Sequence, residues 1–254
     1  MKITEELVEE FLKCKNDIVY FAENYIQHTT PYGIKKLELY PYQIQILEDD
    51  ILTSETSRQI GFSLCSHIKI IHSIIFNQEK TIAFYTPNRD RSSHSIQSIV
   101  TLLDLCTLPE VFKPKFVTRN KSEFRFDSGM RTELRFDNDM RVVSAYNISH
   151  IRGYGISELY MEEVDFYKDP IEEILHTTFP SLMSNKNPKI WAWGCLMNGN
   201  IDKARRLLEH LKNHNHYNLA WYVIPNRDSK WKSQTKLNVG EGVFNQEYNN
   251  KDTG

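Results

Sequence analysis

Short apolar runs alternate with helix-length segments along most of this chain, and that alternation restricts the fold more than any other feature. Residues 81–87 (TIAFYTP), 157–166 (SELYMEEVDF), 189–195 (KIWAWGC) and 218–224 (NLAWYVI) read as buried strands. Residues 64–76, about 91–107, 169–183 and 201–213 have helical length and pattern. Strands separated by helices predict an α/β fold with a mostly parallel, doubly wound sheet. Three short alternating segments, 122–127, 131–136 and 141–146, predict antiparallel strands beside it.

The first residues read as two helices. One covers 4–13, with Leu7, Val8, Phe11 and Leu12 on one face and Thr4 as N-cap, and an aromatic-rich one covers 17–27. A loop with Pro31 and Gly33 follows, and a helix begins after Pro41. The expected organisation is an N-terminal helical segment (1–36) packed on the core, a main α/β domain (37–225) and a polar tail (226–254).

Composition removes several classes. A net charge of −2 and a pI of about 6.5 argue against a domain that grips DNA unaided. No apolar run approaches the roughly 18 residues of a membrane span. The acidic, amphipathic start is not a signal peptide. The four cysteines form no CxxC pair and read as free thiols in a reducing cytoplasm.

Three segments carry chemistry. Ser57-Arg58-Gln59-Ile60-Gly61-Phe62-Ser63 is a polar loop with a glycine and a hydroxyl in front of a helix. Backbone N–H groups at such a helix start hold phosphates, a lysine neutralises them, and the neighbouring hydroxyl holds Mg²⁺. Here Phe62 fills the lysine slot. Leu159-Tyr160-Met161-Glu162-Glu163 is an apolar strand ending in two carboxylates, the pattern that organises a metal and polarises water. Its plainer reading is a strand end with solvated acids. Leu39-Tyr40-Pro41-Tyr42-Gln43 precedes the loop; Gln43 suits an adenine edge, and the plainer reading is a helix start with proline in its first turn.

LYPYQ, SRQIG, Phe76-Asn77, LPEVFKP, Asn120-Lys121, Ile151-Arg152-Gly153, LYMEE and FNQEY occur in this order. Together they resemble the ATPase domain of the large terminase subunit of tailed bacteriophages, the motor that pumps DNA into the procapsid, over roughly residues 15–250. The resemblance implies a P-loop-NTPase-like fold with ATP and Mg²⁺ as ligands. It implies Gln43 as the adenine reader, Arg58 as the loop arginine that senses the γ-phosphate, and Gly61 and Ser63 as the loop glycine and Mg²⁺ hydroxyl. Glu162 stands where the family has a metal-organising Asp, Glu163 looks like the catalytic carboxylate, and Asn198-Gly199 ends the coupling segment.

The departures from that pattern are as informative. Phe62 supplies no charge and is expected to push its bulk into the phosphate site, weakening ATP binding. Loss of one preorganised charge contact costs about 10²–10³ in rate. Glu162 is one methylene longer than Asp. The coupling segment is Gly194-Cys195-Leu196-Met197, without a hydroxyl, and the strand before the loop, 50–55 (DILTSE), is mostly polar. A compensating lysine is conceivable in Lys69, which is expected to point away. The family's nuclease domain would begin about where FNQEYNNKDTG ends, so DNA cleavage is expected to be absent.

Other clusters have plainer readings. His210, His214 and His216 are expected at a solvated helix end rather than in a metal site. Lys203, Arg205, Arg206 and Lys212 form a basic helix, with Arg205 and Arg206 the candidate contacts to double-stranded DNA and a solvated face the preferred reading. Trp191 and Trp193 are expected in the core, on opposite sides of their strand. The leading functional expectation is a degenerate terminase-like subunit in the cytoplasm of an infected bacterium. It would bind the packaging machinery (large or small terminase, or portal), form oligomers and have no membrane partner. A working but divergent packaging ATPase and a DNA-binding adaptor are the alternatives.

Overall fold

The computed structural model describes residues 4–77, 80–119, 123–127, 140–195 and 199–250. Asn120-Lys121, the expected strand at 131–136, Leu196, Met197 and Asn198 lie outside the described residues.

The chain begins with α1 (Glu5–Asn16) and α2 (Ile18–Tyr25), capped by the side chains of Thr4 and Asp17. The expected loop at 31–33 is the turn of a small antiparallel hairpin, β1 (Gln27–Thr30) with β2 (Gly33–Lys36). Its register was invisible to periodicity because its strands are too short and polar to alternate. Next come α3 (Pro41–Glu48), β3 (Ile51–Thr56), α4 (Phe62–Phe76), β4 (Thr81–Tyr85) and α5 (Arg89–Leu105). Then β5 (Lys115–Arg119), β6 (Glu123–Asp127) and β7 (Met140–Ala145) lead to β8 (Glu158–Glu162), α6 (Ile171–Ser184), β9 (Lys189–Gly194), α7 (Asn200–Leu208) and β10 (His214–Leu219). Two helices, α8 (Ser229–Val239) and α9 (Glu241–Glu247), close the described chain. The tail expected to be loosely patterned is therefore helical from Ser229.

One eight-stranded sheet runs β10-β3-β9-β8-β4-β7-β6-β5. All neighbours from β10 to β7 are parallel, and β6 and β5 continue antiparallel at one edge. The doubly wound reading thus holds; of the expected antiparallel segments 122–127 is β6 and 141–146 is β7, which is antiparallel to β6 but parallel to β4, while the edge strand β5 was not expected. The last strand lies earlier than expected: β10 begins at His214, and residues 221–223 form a 3₁₀ turn.

Helices cover both faces. On one side Leu52, Ile82, Phe84, Tyr160, Trp191 and Trp193 pack with α4 and the N-terminal helices, whose Phe11, Phe21 and Ile26 are buried with them. On the other, Ala83, Leu159, Met161, Ile190 and Ala192 pack with Ile174, Leu175, Ile201 and Ala204 of α6 and α7. Trp191 and Trp193 therefore share a face, contrary to expectation, because residues two apart in a strand point the same way.

The polar run before the loop is a fully formed strand, β3. Its odd-numbered polar side chains find partners on β10, which lies in register beside it. Thr53 Oγ1 bonds His214 Nε2 at 3.1 Å and His216 Nδ1 at 2.8 Å, and Asn218 donates to Glu55 Oε2 at 2.8 Å. Two of the expected histidine cluster are thus bonded within the sheet rather than at a solvated helix end. Buried polar groups with partners are tolerated in a core strand. No described helix is long and apolar enough to cross a membrane.

Candidate functional site

The site lies at the carboxyl ends of the central strands, where parallel α/β sheets gather their loops. β3 delivers the loop 57–61, β8 delivers Glu162 and Glu163, and β9, between them, delivers Gly194 and Cys195. The loop, Glu163, Gly194 and Cys195 line a cleft of about 780 Å³ together with Asn88 and Arg91 at the start of α5.

The loop turns into α4 through Gly61, at φ +77°, a left-handed conformation that suits glycine. A Cβ there would also meet Gln43 Nε2 at 2.7 Å. Gln59 is left-handed too, at φ +59°. Two side chains of α3 hold this shape: Tyr42 Oη donates to the Ile60 carbonyl at 2.6 Å, and Gln43 Nε2 donates to the same oxygen at 3.2 Å. Gln43 Oε1 accepts from the Tyr40 N–H at 3.0 Å. The buried carboxamide expected to read adenine thus ties the end of the loop to the start of α3, and base reading would require it to release one of these bonds.

Phe62 borders the cleft but turns its ring away from the expected phosphate site. It is 3% exposed, with its ring 5.7 Å from Trp191 and 5.1 Å from Trp193. The expected obstruction is corrected: an aromatic side chain at the first position of α4 gains more by joining the apolar face of the sheet than by standing in a polar cleft. Lys69 does point away, as expected. Its Nζ donates to the Leu47 carbonyl at 2.7 Å and pairs with Asp50 at 3.1 Å.

The expected Mg²⁺ pair is brought together. Ser63 Oγ donates to Glu162 Oε1 at 2.8 Å, and Ser95 Oγ, from α5, donates to Oε2 at 2.9 Å. A hydroxyl beside a carboxylate is a donor set that suits a hard cation, so Ser63 and Glu162 fit the ion the resemblance implies.

Glu163, at φ +51°, borders the cleft and pairs with Arg91 Nη2 at 3.2 Å. Burial raises its pKa above the ordinary carboxylate value; Arg91 opposes that rise and the neighbouring Glu162 adds to it. Arg58 is clasped by α9: its Nε lies 2.6 Å from Glu247 Oε2, and its backbone N–H donates to the Glu247 carbonyl at 2.9 Å. That bond raises the Arg58 pKa. Gly194 allows the close approach of the segment after β8, since a Cβ there would lie 2.0 Å from Asp165 Oδ2.

Arg205 and Arg206 are not among the cleft residues. Arg205 pairs with Asp202 at 2.9 Å and lies 3.8 Å from Glu209, both on or just beyond α7. Arg91, Ser95, Lys168 and Glu247 belong to the site and were missed. The first two follow a buried strand ending in Thr86-Pro87-Asn88, and a strand end beside the acid-bearing strand was the signal available.

Fold and cleft together define a mostly parallel α/β architecture with the loop-bearing and acid-bearing strands separated by one strand. The protein shares the fold of large-terminase ATPase domains. It superimposes on that domain of Thermus phage P74-26 with a TM-score of 0.68 at 14% identity, covering 84% of this chain and 94% of that one. The large terminase of bacteriophage HK97 gives 0.68 at 11% identity over 93% of this chain. That of the thermophilic bacteriophage D6E, in complex with ADP, gives 0.64 at 10% identity over 84%. The match spans about half the length of these last two proteins, 55% and 53%. No known family's sequence profile matches the chain.

Proposed function

We propose that this chain is a catalytically degenerate subunit of the terminase ATPase fold. It holds Mg·ATP in the cleft, turns it over slowly, and acts on the packaging machinery in the cytoplasm of an infected bacterium. Its partner is an active large terminase, a small terminase or a portal, and its effect is to inhibit or redirect genome packaging. The observation that carries this reading is Phe62: the lysine slot is filled by a ring rooted between two tryptophans, so the loop has no cation at the position where its fold relatives' chemistry calls for one. Gly61, Ser63 and Glu163 line the cleft, and Ser63 bonds Glu162 at 2.8 Å, which supports retained binding. D6E large terminase is known with ADP and with ATP-γ-S, and the same ligand class suits this cleft.

When bound, Mg²⁺ would neutralise phosphate charge; Ser63 and Glu162 are the residues to hold it. Glu163, tied to Arg91, is poorly placed to polarise water until that pair opens. Mixing the protein with an active large terminase tests the role. A stable complex with reduced DNA packaging is expected, and the absence of any complex with large terminase, small terminase or portal would refute it. A working, divergent motor is the second reading, favoured by the open cleft that Phe62 leaves unobstructed; it requires vigorous hydrolysis that falls in Glu163→Gln.

A further inference from the structure

The cleft lacks a loop lysine, yet it is not without cations. Arg58 is tied to α9 by Glu247 through side chain and backbone, although its side chain stays 54% exposed, and Lys69 is buried on the far side of α4 against Leu47 and Asp50. Arg91 is held by a side-chain pair alone, with no backbone tie to its carboxylate partner. It sits in the first turn of α5, fixed there by the Asn88 side chain, which accepts its backbone N–H at 3.0 Å. Arg91 lines the cleft with its side chain 47% exposed, and its Nη2 meets Glu163, which leaves other donors of the planar fork for a further acceptor. Lys168 also borders the cleft, but from an exposed segment outside any helix or strand.

We propose that Arg91 is the phosphate-binding cation of this cleft and replaces the missing loop lysine, so that a nucleoside triphosphate is gripped from α5 rather than from the loop. The inference rests on the reading of the cleft as a nucleotide site. A guanidinium fork matches phosphate geometry and keeps its charge at every accessible pH. Placed between Glu163 and the phosphates, it also screens their mutual repulsion. The same placement keeps Glu163 engaged, which accounts for binding with little turnover.

Calorimetric titration of the full chain with Mg·ATP, ADP and AMP tests this, alongside Arg91→Ala, Arg91→Gln, Arg91→Lys and Lys168→Ala. Loss of a charge-assisted contact should weaken Mg·ATP binding about 10- to 100-fold in Arg91→Ala and Arg91→Gln. Arg91→Lys should recover part of it, and AMP affinity should stay within about twofold, since a group that contacts only terminal phosphates leaves a monophosphate untouched. A merely structural Arg91 would lower AMP and ATP binding alike. ATP affinity unchanged in a folded Arg91 variant, or a loss confined to Lys168→Ala, overturns the assignment while leaving the nucleotide reading intact. Failure of the natural protein to bind any nucleotide overturns both.

Discussion

Phe62 shows how one residue can be misjudged from its position in a motif. The motif fixes where its backbone lies, at the start of α4 just after the loop 57–61. Its side chain answers to a different pressure, the aromatic face made by Trp191 and Trp193. Phe62→Ala should therefore destabilise the fold by about 3–5 kcal/mol, as expected for truncating a buried ring, measured by chemical denaturation. A cost below about 1 kcal/mol would mean that the ring is not packed as described. Gly61 is a second residue of this kind: Gly61→Ala forces both a left-handed backbone and a clash with Gln43. It should reduce nucleotide affinity in calorimetry, and unchanged affinity would mean that the loop shape does not matter.

The buried ion network at the start of β8 operates at the level of elements. Glu158 is fully buried and meets Lys80 at 2.8 Å, Lys189 at 3.5 Å and Ser73 at 2.6 Å. It ties the beginnings of β8 and β9 and the approach to β4 to the end of α4. Burial pushes its pKa up, but the two lysines and Ser73 outweigh that and hold it at about 2. Its folded pKa lies below the unfolded value of about 4.3. The stabilisation is thus fully present above about pH 4.3 and lost as pH falls toward about 2. Glu158→Gln should cost about 3–5 kcal/mol at pH 7, because two lysines lose their counter-charge, and the gap from the natural protein should narrow in acid melts. A gap independent of pH would refute the charge assignment.

Elements were legible where periodicity is driven by burial. β4, β8, β9, α4 and α5 lie in long apolar or amphipathic stretches and fell within a few residues of expectation. β3 was read as a damaged strand because its polar side chains are satisfied by β10, a partner far away in sequence. The position of β10 was missed for the same reason: its histidines and asparagine serve Thr53 and Glu55 rather than water. At the site, the residue types were readable, but the direction of Phe62 and the arrival of Arg91 depend on tertiary packing.

For the whole molecule, the C-terminal helices matter most. α8 and α9 gather Trp221, Trp231, Phe244 and Tyr248 into one aromatic cluster and carry Glu247 to Arg58. The exposed ion pair contributes little by itself, about 0–1 kcal/mol, since Arg58 is 54% exposed; the buried Phe244 ring is the anchor. Phe244→Ala should raise amide exchange across 229–250 and in the loop 57–61, while Glu247→Ala should affect mainly the loop. Protection unchanged in both would mean that the tail does not hold the loop.

Steady-state ATP hydrolysis by the natural protein and by Phe62→Lys, with and without double-stranded DNA, separates a cleft that holds nucleotide with little turnover from a working motor. Turnover in the natural protein should lie below about 0.1 s⁻¹, far under the typical enzyme value of about 10 s⁻¹, and should rise about 10²-fold or more in a folded Phe62→Lys variant. Natural turnover near 10 s⁻¹ that is lost in Glu163→Gln would contradict that expectation and establish a working motor.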